Sequence, residues 1–322
     1  MLGMAYVGEI AALVTALMWV LCSLAFTAAG RHIGSISVNL LRLLVAFVFF
    51  TLTGLIFRGH PLPADATGHA WFWLSLSGVV GFFLGDLCLF RSFLLIGPRL
   101  SLLICSLVPP ITAVLAYVWL GEELRRWDWI GMAVTLAGVV WVVLERREAA
   151  PEPAAPAGDG TIPDETDPPG RQGVESRRLL TGSLLALGGA VGQAGGVVLS
   201  KIGMKGYNPF ASAHIRLIAA VACFAILITL LRRWGNIVAA VRHARAMTLL
   251  TFGAFTGPFL GVGLQLLAVE NTKAGVATTL MAVAPVLILP FVIVLHREKI
   301  SARAWAGALV AVAGVAILML GR

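Results

Sequence analysis

The chain has 322 residues, 59% of them hydrophobic and 12% charged, with a formal net charge of +8. Soluble domains carry about 45–50% apolar and about 25% charged residues. A mean hydropathy of +0.91 therefore excludes a soluble globular enzyme, a disordered chain and a secreted disulfide scaffold, and leaves a polytopic membrane protein. The basic residues lie singly or in pairs between long apolar runs, which reads as topology signals at lipid headgroups; no nucleic-acid partner is expected. Cys22, Cys88, Cys105 and Cys223 sit in apolar stretches without a CxxC pair, so neither a metal site nor a structural disulfide is expected.

A helix needs about 20 apolar residues to cross the hydrocarbon core. Ten stretches qualify or nearly do: 9–29, 36–57, 71–94, 98–120, 127–144, 181–200, 209–231, 246–269, 274–295 and 303–320. The first is preceded by no Lys or Arg and followed by further spans, so it does not read as a signal peptide. Continuous apolar runs, without alternation, indicate helices and not a barrel. Residues 145–180 hold six of the 15 prolines and eight of the 16 acidic residues. Such a stretch cannot bury enough apolar surface to order itself and reads as a disordered linker. It divides the chain into 1–144 and 181–322, five predicted spans each.

The two halves repeat. A shift of 176 carries Gly81, Phe83, Leu84 and Gly85 onto Gly257, Phe259, Leu260 and Gly261. The same shift carries Pro109 onto Pro285, Glu122 onto Glu298, Trp129 onto Trp305, Gly131 onto Gly307 and Gly138 onto Gly314. A shift of 174 carries Gly8, Trp19 and Arg42 onto Gly182, Gln193 and Arg216. An odd number of spans per copy turns the second copy upside down in the membrane. Inverted repeats of this kind place a substrate site near the midplane and allow alternating access by rocking of one half on the other.

The segments GFFLGD at 81–86, IGPRLSLLICSLVPPITAVLAYVWLGEEL at 96–124 and WIGMAVTLAGVV at 129–140 carry a further signal. With GPFLG at 257–261, TKAGVATTLMAVAPVLILPFVIVLHREKI at 272–300 and AGALVAVAGV at 306–315, they resemble the EamA repeat of the drug/metabolite transporter superfamily. The resemblance implies an all-α integral membrane fold of ten transmembrane helices in two inverted five-helix repeats. It also implies secondary transport of small metabolites or amino acids, and the superfamily includes flippases for lipid-linked sugars. The expected place is the cytoplasmic membrane of the cell, multi-pass, as a monomer or homodimer, with lipids and a small-molecule substrate as partners and no cofactor.

Orientation is left open. The side holding the linker carries 14 Lys and Arg against seven on the side of the N-terminus, which places the linker in the cytoplasm and both termini outside. The resemblance implies the reverse.

A charge at the bilayer centre costs at least about 2.5–3.5 kcal/mol, so each one needs a reason. Asp86 reads as a proton- or cation-coupling carboxylate, a partner for a substrate amine, or half of a structural ion pair. Arg91 lies about 140° around the helix from it and reads as a snorkelling residue. Arg42 and Arg216 read as interfacial snorkellers or as a symmetric pair that neutralises Asp86 or grips a substrate carboxylate. His214 beside Arg216 can titrate near neutral pH. Gln193 and Gln265 are candidate uncharged substrate contacts, and Trp19, matched to Gln193, reads as a contact or as packing. Gly188, Gly192 and Gly196, like Gly253, Gly257 and Gly261, keep the spacing that lets backbones approach closely. Pro109 and Pro285 are expected to kink the fourth and ninth helices at a shared hinge. Glu122, Glu123, Glu298, Glu270 and Lys273 are expected to face water or headgroups.

Motifs for metalloproteases, P-loop nucleotide binding and serine hydrolases are missing, so no enzymatic activity is expected. The sequence reads as a proton- or gradient-driven exporter of a small metabolite, with flipping of an isoprenoid-linked lipid as the alternative.

Overall fold

In a computed structural model of the protein, the described residues are 6–33, 35–149, 169–232, 234–284, 286–287 and 302–320. They form α1 (Val7–Ile33), α2 (Ser35–Arg58), α3 (Gly68–Ser77), a first π-helical segment (Gly78–Gly85), α4 (Asp86–Cys105), α5 (Val108–Leu120) and α6 (Arg126–Ala149). The second half contributes α7 (Pro169–Met204), α8 (Pro209–Leu230), α9 (Trp234–Val241), α10 (Ala244–Ala254), a second π-helical segment (Phe255–Gly261), α11 (Val262–Asn271) and α12 (Ala274–Met281). A last helix, Ala302–Leu320, is α13 here. No strand occurs among the described residues.

Among the described residues six helical stretches are long and apolar enough to cross a membrane: Val7–Gly30, Ser37–Arg58, Gly68–Leu89, Arg177–Met204, Pro209–Leu230 and Ala244–Asn271. Val108–Leu120 and Trp305–Leu320 are apolar but shorter. Large apolar side chains face outward, among them Phe57 at 81% and Leu320 at 80% exposure. A surface of that kind is solvated by lipid chains, not by water.

The structure departs from the sequence reading at three places. The break expected between the third and fourth spans, at 95–97, is absent: helix runs unbroken from Gly68 to Cys105 and breaks at Ser106–Leu107. Pro98 is preceded by Gly97, and without a Cβ the clash that drives a pre-proline residue out of the helical region is weaker. Pro109 therefore does not kink a helix interior. It sits in the first turn of α5, where its missing N–H costs nothing. The matched break in the second half falls at Ala282–Val283, just before Pro285, which lies outside the described residues. Finally, helix reaches Ala149 and resumes at Pro169, inside the stretch read as linker; 150–168 lie outside the described residues.

The halves interleave. The first helix of each packs antiparallel on the third span of the other, and glycines set the contact. A Cβ on Gly261 would lie 3.0 Å from Trp19, and one on Gly257 would lie 2.8 Å from Cys22. At the matched positions, a Cβ on Gly85 would lie 3.4 Å from Gln193 N, and one on Gly196 would lie 2.8 Å from Gly81 Cα. Matched residue pairs thus meet twice, each time across the two halves. Such approaches gain dispersion and weak polar contact between backbones where lipid provides no hydrophobic drive.

The fifth helices pair likewise. A Cβ on Gly138 would meet Ala311 N at 2.3 Å, and one on Gly314 would meet Thr135 N at 2.3 Å. Gly131 lies against Leu318, and Gly307 against Val142. The four contacts place α6 and α13 antiparallel about a single crossing.

Candidate functional site

Both third spans loosen into π-helix at matched places. Gly78–Gly85 and Phe255–Gly261 overlap under the 176 shift and end on the matched Gly85 and Gly261, and Pro258 lies inside the second. Short π-helical turns widen a helix and recur at functional sites. The glycines were legible in sequence; the i→i+5 pairing was not.

Asp86 opens α4 directly after the first π-helical segment. Arg42 Nη2 donates to Asp86 Oδ2 at 2.6 Å, and the two side chains are 16% and 14% exposed. Of the two arginines expected to flank Asp86, the structure brings one. The Arg42 guanidinium also lies 5.7 Å from the Phe26 ring centroid.

Arg216 goes elsewhere. It is 2% exposed, with its guanidinium 4.7 Å over the Phe82 ring. Its Nε and Nη1 are buried with no hydrogen-bond partner among the described residues. The α8 backbone rests on the π-helical segment here, since a Cβ on Gly78 would overlap Arg216 O. A signal for the difference was present in the sequence: the 176 shift places Val262 where the first half has Asp86.

His214 is two residues from Arg216, hence about 200° around α8. It is 3% exposed, stacks on Phe50 at 5.6 Å and meets Phe47 edge-on at 5.1 Å. Its Nε2 has no partner among the described residues. With Phe50, Phe210, Phe259, Arg58 and Asn208 it lines a cavity of about 570 Å³. Gln265 is buried in α11. Gln193 and Trp19 stand against Gly85 and Gly261, as described above.

Sequence reasoning missed a polar cluster at the end of the bundle where α1 begins. Lys201 Nζ is 2.6 Å from Glu122 Oε1 and donates to Thr272 O at 2.6 Å. Glu122 Oε2 accepts from Ala274 N at 2.8 Å, capping α12, and Lys273 pairs with Asp128 at 2.5 Å. Glu9, 1% exposed, accepts from Thr272 Oγ1 at 3.1 Å. Glu122 and Lys273 thus face each other's half instead of water. Nearby, Arg58 and Tyr207 hold Asp65. Desolvation pushes that carboxyl up, but the Tyr207 hydroxyl, the local backbone and Arg58 together outweigh it and keep it below the usual range. Among the described residues no three His, Cys, Asp or Glu side chains gather as metal ligands.

The geometry is that of a helical bundle with an ion pair and a buried arginine inside its spans and paired interfaces between its halves. The EamA-like transporter family matches twice, over residues 6–144 and 180–320. No curated protein matches in sequence. A solved structure described only as "Crystal structure of protein" is similar with a TM-score of 0.72 at 19% identity, covering 96% of this chain and 94% of that one. That likeness speaks for the fold alone. The two family matches together span nearly all of both halves, and the chain belongs to the EamA-like transporter family of membrane proteins.

Proposed function

We propose that the protein is a secondary active transporter that exports a small metabolite or amino acid across the cytoplasmic membrane. In this reading ten spans form two inverted five-helix repeats, and one half rocks against the other. The antiparallel course of α6 and α13, with each contact made twice, supports the inversion. The matched breaks at Ser106–Leu107 and Ala282–Val283 supply hinges.

The observation that carries the reading is the Arg42–Asp86 pair inside the spans. A membrane-embedded ion pair beside a π-helical segment can exchange its internal contact for a proton or a substrate amine as access alternates. Protons are the proposed coupling ion. The test is reconstitution in liposomes, with charge movement recorded on rapid addition of amino acids and metabolites across a pH gradient. A pH-dependent current in wild type that is lost in Asp86→Asn supports the assignment. A current that survives the substitution leaves Asp86 a structural partner of Arg42.

A second reading is flipping of a lipid-linked substrate. One observation favours it: an outward-facing groove of about 650 Å³ between α2 and α10, lined by Phe49, Met247, Thr248, Thr251, Phe252 and Phe255. Such a groove would admit an isoprenoid chain from the bilayer. Scrambling of a fluorescent lipid-linked sugar by the reconstituted protein, without current, would favour this reading over export.

A further inference from the structure

The two halves treat the same arginine differently. In the first half, Arg42 has a resident anion, Asp86, at 2.6 Å. The matched position in the second half holds Val262, which is buried and carries no charge. Arg216 nevertheless keeps its guanidinium, 2% exposed, with two nitrogens lacking partners among the described residues. Its neighbours are a ring face and a glycine: Phe82 at 4.7 Å, and Gly81, whose Cβ, if present, would lie 3.5 Å from Nη2. Neither supplies a full negative charge. A buried cation with no counter-ion is among the costliest arrangements in a fold, and among the described residues Arg216 has none within hydrogen-bond reach.

We infer that Arg216 is the binding residue for the carboxylate of a small soluble anion, which supplies the charge that Asp86 supplies in the first half. The inference rests on the transport reading and narrows its substrate to a molecule carrying a carboxylate. The planar fork of a guanidinium matches a carboxylate with two parallel hydrogen bonds; the unpartnered Nε and Nη1 lie on its two different edges, each of which is completed by Nη2. The contact with Phe82 holds the plane in place through its cation–π attraction. Arg42 differs in that its Nη2 already donates to a resident carboxylate, Asp86.

A lipid phosphate offers similar oxyanion chemistry, so the test separates the two sources. The purified chain is placed in nanodiscs of phosphatidylcholine, and its unfolding temperature is followed against acetate and succinate, with acetamide and succinamide as neutral controls. A ligand that binds only the folded chain raises that temperature saturably. The expected result is a saturable rise with the carboxylates alone. Arg216→Gln should weaken the half-saturating concentration by about tenfold or more. Val262→Asp keeps Arg216 and puts an acid at the position matched to Asp86 by the 176 shift; it should abolish the carboxylate effect while raising the ligand-free unfolding temperature.

A rise of equal size in Arg216→Gln overturns the inference, as does no rise with either carboxylate. A rise seen only in discs containing phosphatidylglycerol, and not with the free anions, assigns the site to lipid and overturns it too. If Arg216→Gln does not fold, Val262→Asp decides: an undiminished carboxylate effect in that variant overturns the site. Binding is read without transport, so the two readings fail separately. Binding without movement of carboxylates would leave Arg216 as assigned and remove transport. Transport indifferent to Arg216→Gln would do the reverse.

Discussion

Gly138 and Ala311 meet backbone to backbone: a Cβ on Gly138 would lie 2.3 Å from Ala311 N. Gly138→Ala therefore forces α6 and α13 apart, because backbone cannot yield as a flexible side chain can. The expected loss is about 1–3 kcal/mol, read from unfolding in detergent. Ala137, next in chain but exposed, should accept leucine with a change within about 0.5 kcal/mol. Equal effects at the two positions would contradict the close crossing.

The Arg42–Asp86 pair predicts an asymmetry between single and double substitutions. Asp86→Leu alone leaves a mostly buried guanidinium without its anion, and Arg42→Met alone strands the carboxylate; each should cost about 3–5 kcal/mol. Arg42→Met with Asp86→Leu removes both charges and should recover most of that loss. The check is a double-mutant cycle on unfolding free energies in detergent; simple additivity would mean the two side chains do not interact.

At the end of the bundle where α1 begins, Glu122 joins Lys201 to the first turn of α12. Glu122→Gln with Asp128→Asn should loosen that end without disturbing the core. A cysteine at position 272, in a background lacking the four native cysteines, should react with maleimide about tenfold faster when both acids are neutralised. An unchanged rate would mean the ion pairs do not hold the end closed.

Asp65 supplies a pH dependence. Its folded value lies below that of a free aspartate, so its contribution is complete above the unfolded value, about 3.9, and is lost as pH falls through the lower folded value. A spin label at Ala64 should keep constant mobility from pH 7 to about pH 5 and loosen only below about pH 4. Asp65→Asn should be loose throughout. Loosening centred near pH 6 would point to a histidine, with His60 in the same loop.

Much of the architecture was legible because duplication writes the same contact twice. Gly85 and Gly261, Gly81 and Gly257, and Gly138 and Gly314 pair by a constant shift, and each proved to be a helix contact. The unbroken helix through Gly97 and Pro98 was not legible, since proline and glycine together read as a loop. Nor was the Glu122–Lys201 pair: 79 positions separate its members, and no local periodicity links the end of one helix to the end of another. At the candidate site, the pairing of Arg42 with Asp86 was among the alternatives read from sequence. That Arg216 has no acid beside it among the described residues required noticing a valine, and an absent charge leaves no motif.

The interleaving of the halves bears on how the chain is made. When the first half has left the ribosome, the glycine face of its third span, Gly81 and Gly85, still lacks α7, and α1 lacks the glycines at 257 and 261. Neither half can complete its interfaces alone, so the early spans must wait in the bilayer, or beside the insertion machinery, until the later ones arrive. The halves synthesised as separate polypeptides should accumulate only when produced together, each serving as the other's assembly chaperone.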